Sequence, residues 1–401
     1  MSDLDDLDDA ALIERVRADV VAERVHFNHA GMSLTPAPAL ERMHAYLERE
    51  AAIGGYEAAV EAAVELAGVP AAVAPLFGPT VGADEVTIVE SATRGWETVL
   101  WALAETFGYG PGDRLLIDGF TYATTYVTIE RLRAAHGVTV DVVPSGADGT
   151  VDLDQLAARL DPATRLVAIT HMPTHLGTRT DATAVGRLLA GSGAVFALDV
   201  AQTMGQMPVD VAAVGCHIAF APGRKFVRGP RGTGALYVEA ALAEQLVPLS
   251  PPFGSITPSN PGVFDLPPGA RRFDGFEYGH AAHLGLAAAA RYAMAIGLDR
   301  IERLVAARSR EVTDLLASTD GVRLLAGPDA VGIISFGHDR LDPTEVRARI
   351  GSAGVNIWVN PAEGTPIDGH DRPVLPSVRV SPHYLTDASD LAALGVALDQ
   401  I

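Results

Sequence analysis

The chain has 401 residues, of which 48% are hydrophobic and 20% charged, a composition typical of a globular protein with a large core. Its 30 Lys and Arg against 50 Asp and Glu give a net charge of −20, which argues against nucleic-acid or anionic-membrane binding, since both need clustered cations. The single cysteine, Cys216, excludes an internal disulfide framework and a multi-cysteine metal site. Residues 1–9 are acidic, unlike a signal peptide, and the apolar stretch at 281–298 carries His283 and Arg291. We therefore expect a cytoplasmic protein without a membrane segment.

From about residue 85 onward, short apolar runs alternate with helix-like segments. The runs are rich in Val, Ile and Leu and lie at 86–89, 114–118, 138–143, 166–170, 195–200, 217–221 and 235–238. Helical patterns separate them, for example at 93–106 and 182–189. Continuous rather than alternating hydrophobicity indicates strands buried on both faces. The pattern predicts an α/β fold built on a doubly wound, mostly parallel seven-stranded sheet.

The C-terminal third predicts a second, smaller domain. Residues 248–268 are rich in Pro, Gly and Ser, which forbids long regular elements there. A helix at about 299–316 and strands at 332–336, 355–359 and 378–381 follow. We predict an N-terminal arm and helix at 1–30 that pack with the small domain, a large domain at 31–270, and a small α+β domain at 271–401.

Polar side chains follow two neighbouring runs of the predicted sheet. Asp199 and Gln202 come at the end of one run, and Lys225 comes shortly after the next. The carboxyl ends of parallel strands form the binding edge of an open sheet. An acid there is costly to bury unless a cation or donor meets it. Either Asp199 forms an ion pair with Lys225 or caps a helix, or Lys225 forms a Schiff base with an aldehyde cofactor, with Asp199 at a pyridine nitrogen and Gln202 at the ring phenolate.

Three sequence blocks carry a family resemblance. Asp199-Val-Ala-Gln202, Gly223-Arg-Lys-Phe226 and Arg228-Gly-Pro-Arg-Gly-Thr-Gly234 resemble the class V aminotransferase family of fold type I pyridoxal-phosphate (PLP) enzymes. That family includes cysteine desulfurases, isopenicillin N epimerases and C–S lyases. The block 223–234 is most similar to the hercynylcysteine sulfoxide lyases of ergothioneine biosynthesis. The resemblance implies the fold type I architecture, PLP as the cofactor, and a homodimer in which 253–257 and 276–278 are candidates to reach the partner's pocket.

The resemblance also implies roles for individual residues. The implied catalytic residues are Lys225, as the covalent amine and base, and Asp199, as the pyridinium partner. The other implied cofactor contacts are Gln202 at the ring phenolate, Ala92 and Thr93 in the phosphate cradle, Tyr122 on the ring, and Arg224 and Thr174. The implied substrate contacts are Arg379 on the α-carboxylate, Thr174, Asn28 and His29, the last two of which fit a turn before Pro36 equally well.

The sequence departs from the family pattern at several positions. Pro222 and Arg224 stand where many relatives have serine and histidine, so we expect a redistributed phosphate contact. The stretch 355–363 lacks the sulfur-accepting cysteine of desulfurases, and we expect Cys216 to be buried and inert, which disfavours persulfide chemistry. Trp358 lies near a position where some relatives place an arginine.

A zinc site is not predicted. His171 and His175 have a spacing of four, but Pro173 between them breaks the helix that would place both on one face.

We predict a C–S β-lyase that cleaves a cysteine S-conjugate or its sulfoxide into a thiol or sulfenate, pyruvate and ammonia. A hercynylcysteine sulfoxide or ergothioneine-type conjugate is the expected substrate, and the acidic composition suits a cationic one. The alternatives are a decarboxylating oxidative deaminase of S-conjugates, as in lincosamide-type antibiotic pathways, an epimerase and an aminotransferase. A catalytically silent regulatory protein that kept the fold is the alternative outside enzymes.

Overall fold

The computed structural model describes residues 4–146, 149–257, 259–325, 327–371 and 376–401. The strands, in chain order, are β1 (Val25–His26), β2 (Val86–Val89), β3 (Arg114–Asp118), β4 (Thr139–Val143), β5 (Thr164–Thr170), β6 (Val195–Asp199), β7 (Ile218–Pro222), β8 (Gly234–Val238), β9 (Ile256–Thr257), β10 (Asn260–Phe264), β11 (Val322–Leu324), β12 (Ile334–His338), β13 (Val355–Asn356), β14 (Trp358–Asn360) and β15 (Ser377–Val380).

The helices connect these strands and cover the sheets. In chain order they are α1 (Asp9–Ala18), α2 (Ala37–Ile53), α3 (Gly55–Glu61), α4 (Ala63–Ala67), α5 (Val69–Val73), α6 (Ala92–Phe107), α7 (Ala123–His136), α8 (Leu153–Arg159), α9 (Ala182–Leu189), α10 (Val211–Val214), α11 (Ala240–Ala243), α12 (His280–Ile296), α13 (Leu298–Ala317), α14 (Pro343–Ser352), α15 (Pro366–Asp371) and α16 (Ala388–Leu398). Short 3-10 turns lie at Ala74–Phe77, Ala83–Glu85, Gly269–Phe273 and Ala362–Gly364.

The central sheet has seven strands in the order β2-β8-β7-β6-β5-β3-β4. Strands β4, β3, β5, β6 and β7 run parallel, and only β8 is antiparallel to its neighbours β2 and β7. The predicted α/β class with a mostly parallel sheet is confirmed. The parallel arrangement brings the carboxyl ends of β3, β5, β6 and β7 to one edge, where the polar residues of the sequence analysis follow them.

Both faces of the central sheet are buried, as the continuous apolar runs predicted. Leu115 and Ile117 of β3 pack on one face, in a cluster with Trp96 of α6. Leu116, between them, packs on the opposite face with Val167 of β5. Because successive side chains of a strand point to opposite faces, an unbroken apolar run is what a sheet covered on both sides requires.

The C-terminal part forms a four-stranded antiparallel sheet in the order β11-β12-β15-β14. The N-terminal arm adds to this part of the chain, since β1 pairs in parallel with β13 in a separate two-stranded sheet. Helix α12, which the sequence division assigned to the small domain, instead packs mainly against α2 and α5. The other boundaries of the division stay predictions.

The proline-rich segment 248–268 contains some regular structure, because β9 and β10 form a short antiparallel pair in it.

In the described part of the chain, no single helix is long and apolar enough to cross a membrane. Helices α12 and α13 meet that criterion only together, with an 81° bend between them.

Candidate active site

A cavity of about 370 Å³, here called the first cavity, lies at the carboxyl edge of the central sheet. Each expected cofactor residue lines it. Those residues are Ala92, Thr93, Tyr122, Thr174, Asp199, Gln202, Arg224 and Lys225. The fold brings them together because Asp199 ends β6, Lys225 follows β7, Thr174 follows β5 and Tyr122 precedes α7.

Lys225 and Asp199 both line the first cavity, but their side chains form no direct ion pair. Of the residues that the structure describes, no carboxylate oxygen lies within 4.0 Å of the Lys225 amine. Burial lowers the pKa of Lys225, against the opposing effect of Asp199, and the cationic Arg224 and Arg379 lower it further. Burial raises the pKa of Asp199, against the opposing charge of Lys225. Because the two described groups form no ion pair within 4.0 Å, the interpretation of Asp199 and Lys225 as a simple salt bridge is wrong.

Lys225 is also the only lysine in the sequence, a feature that the motif analysis did not use. All other Lys and Arg positions in the sequence are arginines. The guanidinium of an arginine keeps its proton in proteins and therefore cannot act as a neutral amine. A reactive amine is therefore confined to this position among the side chains. Its Nζ atom lies 5.9 Å from the centroid of the Tyr122 ring, which lines the same cavity.

The residues of the first cavity fit PLP. Helix α6 begins there, and Ser91 caps it by accepting a hydrogen bond from the Arg94 amide at 3.2 Å. A Cβ atom on Gly234 would lie 3.0 Å from the Ala92 amide nitrogen, so only glycine lets β8 approach this helix end so closely. A helix N-terminus with free amides suits a phosphate, and Asp199 suits a protonated pyridine nitrogen.

Two cofactor contacts differ in detail from the expectation. The Gln202 amide donates to Thr174 Oγ1 at 2.9 Å and to the Ala30 carbonyl at 3.3 Å, while its Oε1 has no partner among the described residues. The Arg224 guanidinium donates to the Gly31 carbonyl. Arg224 thus reaches toward the N-terminal segment, and it lines both the first cavity and its neighbour.

That neighbour, here called the second cavity, measures about 390 Å³ and shares Tyr122, Thr174 and Lys225 with the first. Arg379 of β15 lies in its wall and donates to Thr174 Oγ1 at 3.0 Å and to Asn28 Oδ1 at 3.1 Å. Burial lowers the pKa of Arg379 to about 10, so the guanidinium remains charged at neutral pH. An oriented, buried cation beside the reactive amine suits the α-carboxylate of an amino acid.

His29 is the one expected site residue that lines neither cavity. Its Nδ1 lies 3.0 Å from Ser33 Oγ, and its ring packs edge-on against His26 and His383. Neighbouring residues of an extended segment point in opposite directions, so Asn28 faces the second cavity and His29 faces away. This placement does not fit the expectation that His29 contacts the substrate.

A buried pair that no sequence pattern predicts includes His175, which lines the second cavity. His175 Nε2 lies 2.7 Å from Asp368 Oδ2, and both side chains are almost fully buried. His171, which had been weighed with His175 as a zinc ligand, contacts Thr203 Oγ1 at 3.0 Å instead. Among the described residues, no group of three or more His, Cys, Asp or Glu side chains could hold a metal ion. The only sequence signal for the pair was a histidine directly after Thr174.

Comparisons with known proteins agree with this geometry. The family description "Aminotransferase class-V" matches residues 25–393. A probable cysteine desulfurase of Methanothermobacter thermautotrophicus is 28% identical over 398 residues, which cover 97% of this chain and 98% of that protein.

Solved structures share the fold. The apo cysteine desulfurase of Thermococcus onnurineus superposes with a TM-score of 0.87 at 23% identity, over 96% of this chain and 97% of that one. A cystine C–S lyase in complex with its product, cysteine persulfide, superposes with a TM-score of 0.83 at 23% identity, over 94% and 97% of the two chains. None of these three carries the name of a hercynylcysteine sulfoxide lyase.

Proposed function

The chain belongs to the class V aminotransferase family and is a PLP-dependent enzyme, and from that premise we propose that it is a C–S lyase acting on cysteine S-conjugates. The relatives are named as cysteine desulfurases and as a cystine C–S lyase, which supports cleavage of a carbon–sulfur bond. A desulfurase transfers the sulfur to a cysteine of the protein, whereas a lyase releases it with its substituent.

The position of the only cysteine carries the proposal. Cys216 precedes β7, whereas Lys225 follows the opposite end of the same strand. Its side chain is buried among apolar residues, and burial raises the pKa of its thiol. A thiol of this kind is a poor nucleophile. Without an accepting cysteine, sulfur leaves with its own substituent, which is the outcome of a lyase rather than of a desulfurase.

The chain's own residues supply the remaining steps. Bound PLP supplies an electron sink that weakens the bonds at the substrate Cα. Arg379 holds the α-carboxylate, with Thr174 and Asn28 fixing the guanidinium. Asp199 keeps a proton on the pyridine nitrogen, and the Lys225 amine takes the proton from Cα. The Cβ–S bond then breaks with its electron pair on sulfur, and hydrolysis of the remaining fragment gives pyruvate and ammonia.

The walls of the second cavity favour neutral or anionic conjugates. Arg224 and Arg231 line it in addition to Arg379, and no described lining residue is acidic. Trp358 offers an aromatic face, but the Arg347 guanidinium already lies 4.4 Å from the ring centroid. The acidic composition that suggested a cationic substrate is thus not repeated at the site. A trimethylammonium conjugate, such as the hercynylcysteine type, remains one member of the substrate class to be tested.

The test is a panel of cysteine S-conjugates and their sulfoxides, with pyruvate as the readout. We expect stoichiometric pyruvate and thiol or sulfenate, released about 10²–10⁴-fold more slowly by Lys225→Ala because its general base is missing. With free cysteine added to the panel and a thiol reductant present, alanine and sulfide in place of pyruvate would indicate a desulfurase. An inverted Cα would indicate an epimerase, pyridoxamine phosphate an aminotransferase, and an aldehyde with carbon dioxide and hydrogen peroxide, formed with consumption of O2, an oxidative deaminase. Each of these results would contradict the proposal, as would a purified protein that binds no PLP.

We also propose that the active form is a homodimer. Phe253 and Phe276 are 81% and 59% exposed, with ring centroids 4.7 Å apart, and Phe264 is exposed nearby. Phe253 and Phe276 border a cavity of about 540 Å³ that reaches Glu90, which also lines the first cavity. An exposed apolar patch continuous with a site is typical of an interface that completes it.

Sedimentation of wild type and of Phe253→Glu/Phe276→Glu tests the dimer. The double variant should be monomeric and lose most of its activity, whereas Val396→Glu, at an exposed apolar position on α16, should remain dimeric. A wild-type monomer with full activity would contradict the proposal.

A further inference from the structure

His175 is held in one orientation by a buried carboxylate. The side chains of His175 and Asp368 are 1% and 3% exposed, and their Nε2 and Oδ2 atoms lie 2.7 Å apart. Asp368 itself is fixed by its backbone amide, which donates to the Gly119 carbonyl at 3.1 Å. A carboxylate that accepts from one ring nitrogen determines the histidine tautomer and stabilises the doubly protonated ring.

The other ring nitrogen, Nδ1, is available to a ligand in the second cavity. His175 Nδ1 is buried and has no hydrogen-bond partner among the described residues. Thr365 Oγ1 is in the same state, and both residues line the second cavity. Buried polar atoms are nearly always satisfied in folded proteins, so two unsatisfied atoms in one cavity indicate a ligand that supplies the missing contacts.

The position of His175 relates it to a particular part of the substrate. It directly follows Thr174, which accepts from the carboxylate-binding Arg379, and Lys225 lines the same cavity. Arg379 and Lys225 account for the α-carboxylate and the Cα proton. The reaction has one further proton requirement, because the sulfur that leaves Cβ carries a new electron pair.

We propose that His175 is the catalytic acid that protonates the departing sulfur group, with Asp368 as its positioning residue. This inference rests on the proposed C–S lyase function. As the Cβ–S bond breaks, its electron pair stays on sulfur, and the proton on Nδ1 passes to the thiolate sulfur or to the sulfenate oxygen. His175 is left neutral, with its remaining proton on Nε2 toward Asp368. Solvent returns the Nδ1 proton after product release, and Thr365 donates a hydrogen bond to the same leaving group.

The experiment compares leaving groups that differ in their need for a proton. The substrates are S-ethylcysteine, whose ethanethiolate is strongly basic, and S-(4-nitrophenyl)cysteine, whose thiolate is stable without protonation. For His175→Gln, kcat/KM should fall about 10²–10⁴-fold with the first substrate, the usual contribution of a general acid, and less than about fivefold with the second. Asp368→Asn should show the same selectivity with a smaller loss.

A second readout separates the acid from a structural role. In D2O, His175→Gln should still exchange the Cα proton of S-ethylcysteine, because Lys225 is intact, and the recovered substrate should carry more deuterium than with wild type. The matched control is His136→Gln, because His136 lines neither the first nor the second cavity. Its Nε2 lies 3.5 Å from Glu105 Oε1. This control should behave like wild type with both substrates.

The outcomes distinguish this inference from the function on which it rests. Equal losses with both substrates, or loss of Cα exchange together with elimination, would overturn the role of His175 and leave the lyase function standing. Wild-type enzyme that makes no pyruvate from either substrate would overturn the lyase function and this inference with it.

Discussion

The guanidinium of Arg379, which we propose as the anchor for the substrate carboxylate, is already oriented by the protein. It donates to Thr174 and Asn28, and its Nε has no partner among the described residues. The planar fork suits a carboxylate, and a charge-assisted hydrogen bond contributes about 1.5–3 kcal/mol. Arg379→Gln should therefore raise KM by roughly 10- to 150-fold and lower kcat by much less, measured by steady-state pyruvate release.

The control for this substitution is Arg340→Gln, since Arg340 forms a surface ion pair with Asp320 at 3.1 Å. Its kinetic constants should equal those of wild type. A purely catalytic loss in Arg379→Gln, with KM unchanged, would be inconsistent with an anchor for the ground state.

The unique lysine makes the covalent link to PLP directly testable. Reduction of the holoprotein with borohydride should fix one PLP per chain, on the peptide that contains Lys225, because the sequence has no other lysine. Lys225→Ala should retain noncovalent PLP, fix none on a side chain, and lose about 10²–10⁴-fold in turnover through the missing base. Partial recovery of turnover by added methylamine would identify the missing group as an amine. Stable labelling of Lys225→Ala at another side chain would contradict the assignment.

At the residue scale, the sequence predicts the position of a site residue where that residue directly follows a strand. Asp199 and Lys225 follow neighbouring strands, so spacing and topology together place them at one edge. His175 and Asp368 are 193 residues apart, and no local pattern relates them. Their pairing depends on how α15 packs beside the large sheet, which only the folded chain determines.

At the scale of elements, β8 packs closely against the start of α6, which we propose as the phosphate cradle. A Cβ on Gly234 would lie 2.9 Å from Ser91 C and 3.0 Å from the Ala92 amide, and these are backbone atoms that cannot rotate away. Gly234→Ala should displace the start of α6, lower PLP affinity at least about tenfold and destabilise the fold by about 1–3 kcal/mol, as overpacking does. PLP titration of the apoprotein and urea unfolding measure the two effects.

Gly351→Ala is the matched control for Gly234→Ala. Gly351 lies in α14, and a Cβ there would meet no atom within 4 Å. PLP affinity should be unchanged in Gly351→Ala. If Gly234→Ala also bound PLP normally, the first turn of α6 would not be the cradle.

The predicted elements succeeded and failed for identifiable reasons. The runs at 86–89 and 114–118 coincide with β2 and β3, since strands buried on both faces have a continuous apolar signal. The run at 355–359 is instead divided into β13 and β14, which pair with different partners, β1 and β15. A division of this kind is set by tertiary pairing and leaves no mark in hydrophobicity alone.

At the scale of the whole molecule, the net charge of the chain is negative, whereas the charged side chains that line the second cavity are positive. The net charge of −20 describes the chain, yet the second cavity is lined by arginines. The overall charge of the chain therefore does not describe the charge of the candidate site. Buried titratable groups, in contrast, affect the stability of the whole fold.

Buried histidines should make stability depend on pH. Burial lowers the pKa of His171 to about 4 in the folded protein, from 6.5, the ordinary value for histidine. The unfolded chain therefore binds more protons below pH 6.5, and the stability that His171 contributes at neutral pH is lost as pH falls toward 4. Between pH 7 and pH 5 this loss amounts to about 2 kcal/mol for one histidine. Burial acts in the same direction on His383, whereas it raises the pKa of Asp118 to about 7 and so opposes the trend.

Because these contributions oppose one another, the decisive quantity is the difference between a variant and wild type. His171→Gln preserves a group able to bond Thr203 but cannot take up the proton. It should be less stable than wild type at pH 7, and the gap should narrow by about 2 kcal/mol at pH 5, measured by urea unfolding of the PLP-bound protein at fixed concentration. Val396→Gln, at an exposed position without a titratable group, should show a gap that does not change with pH. A constant gap for His171→Gln would mean that His171 is protonated within the folded protein as readily as in the unfolded chain, contrary to its burial.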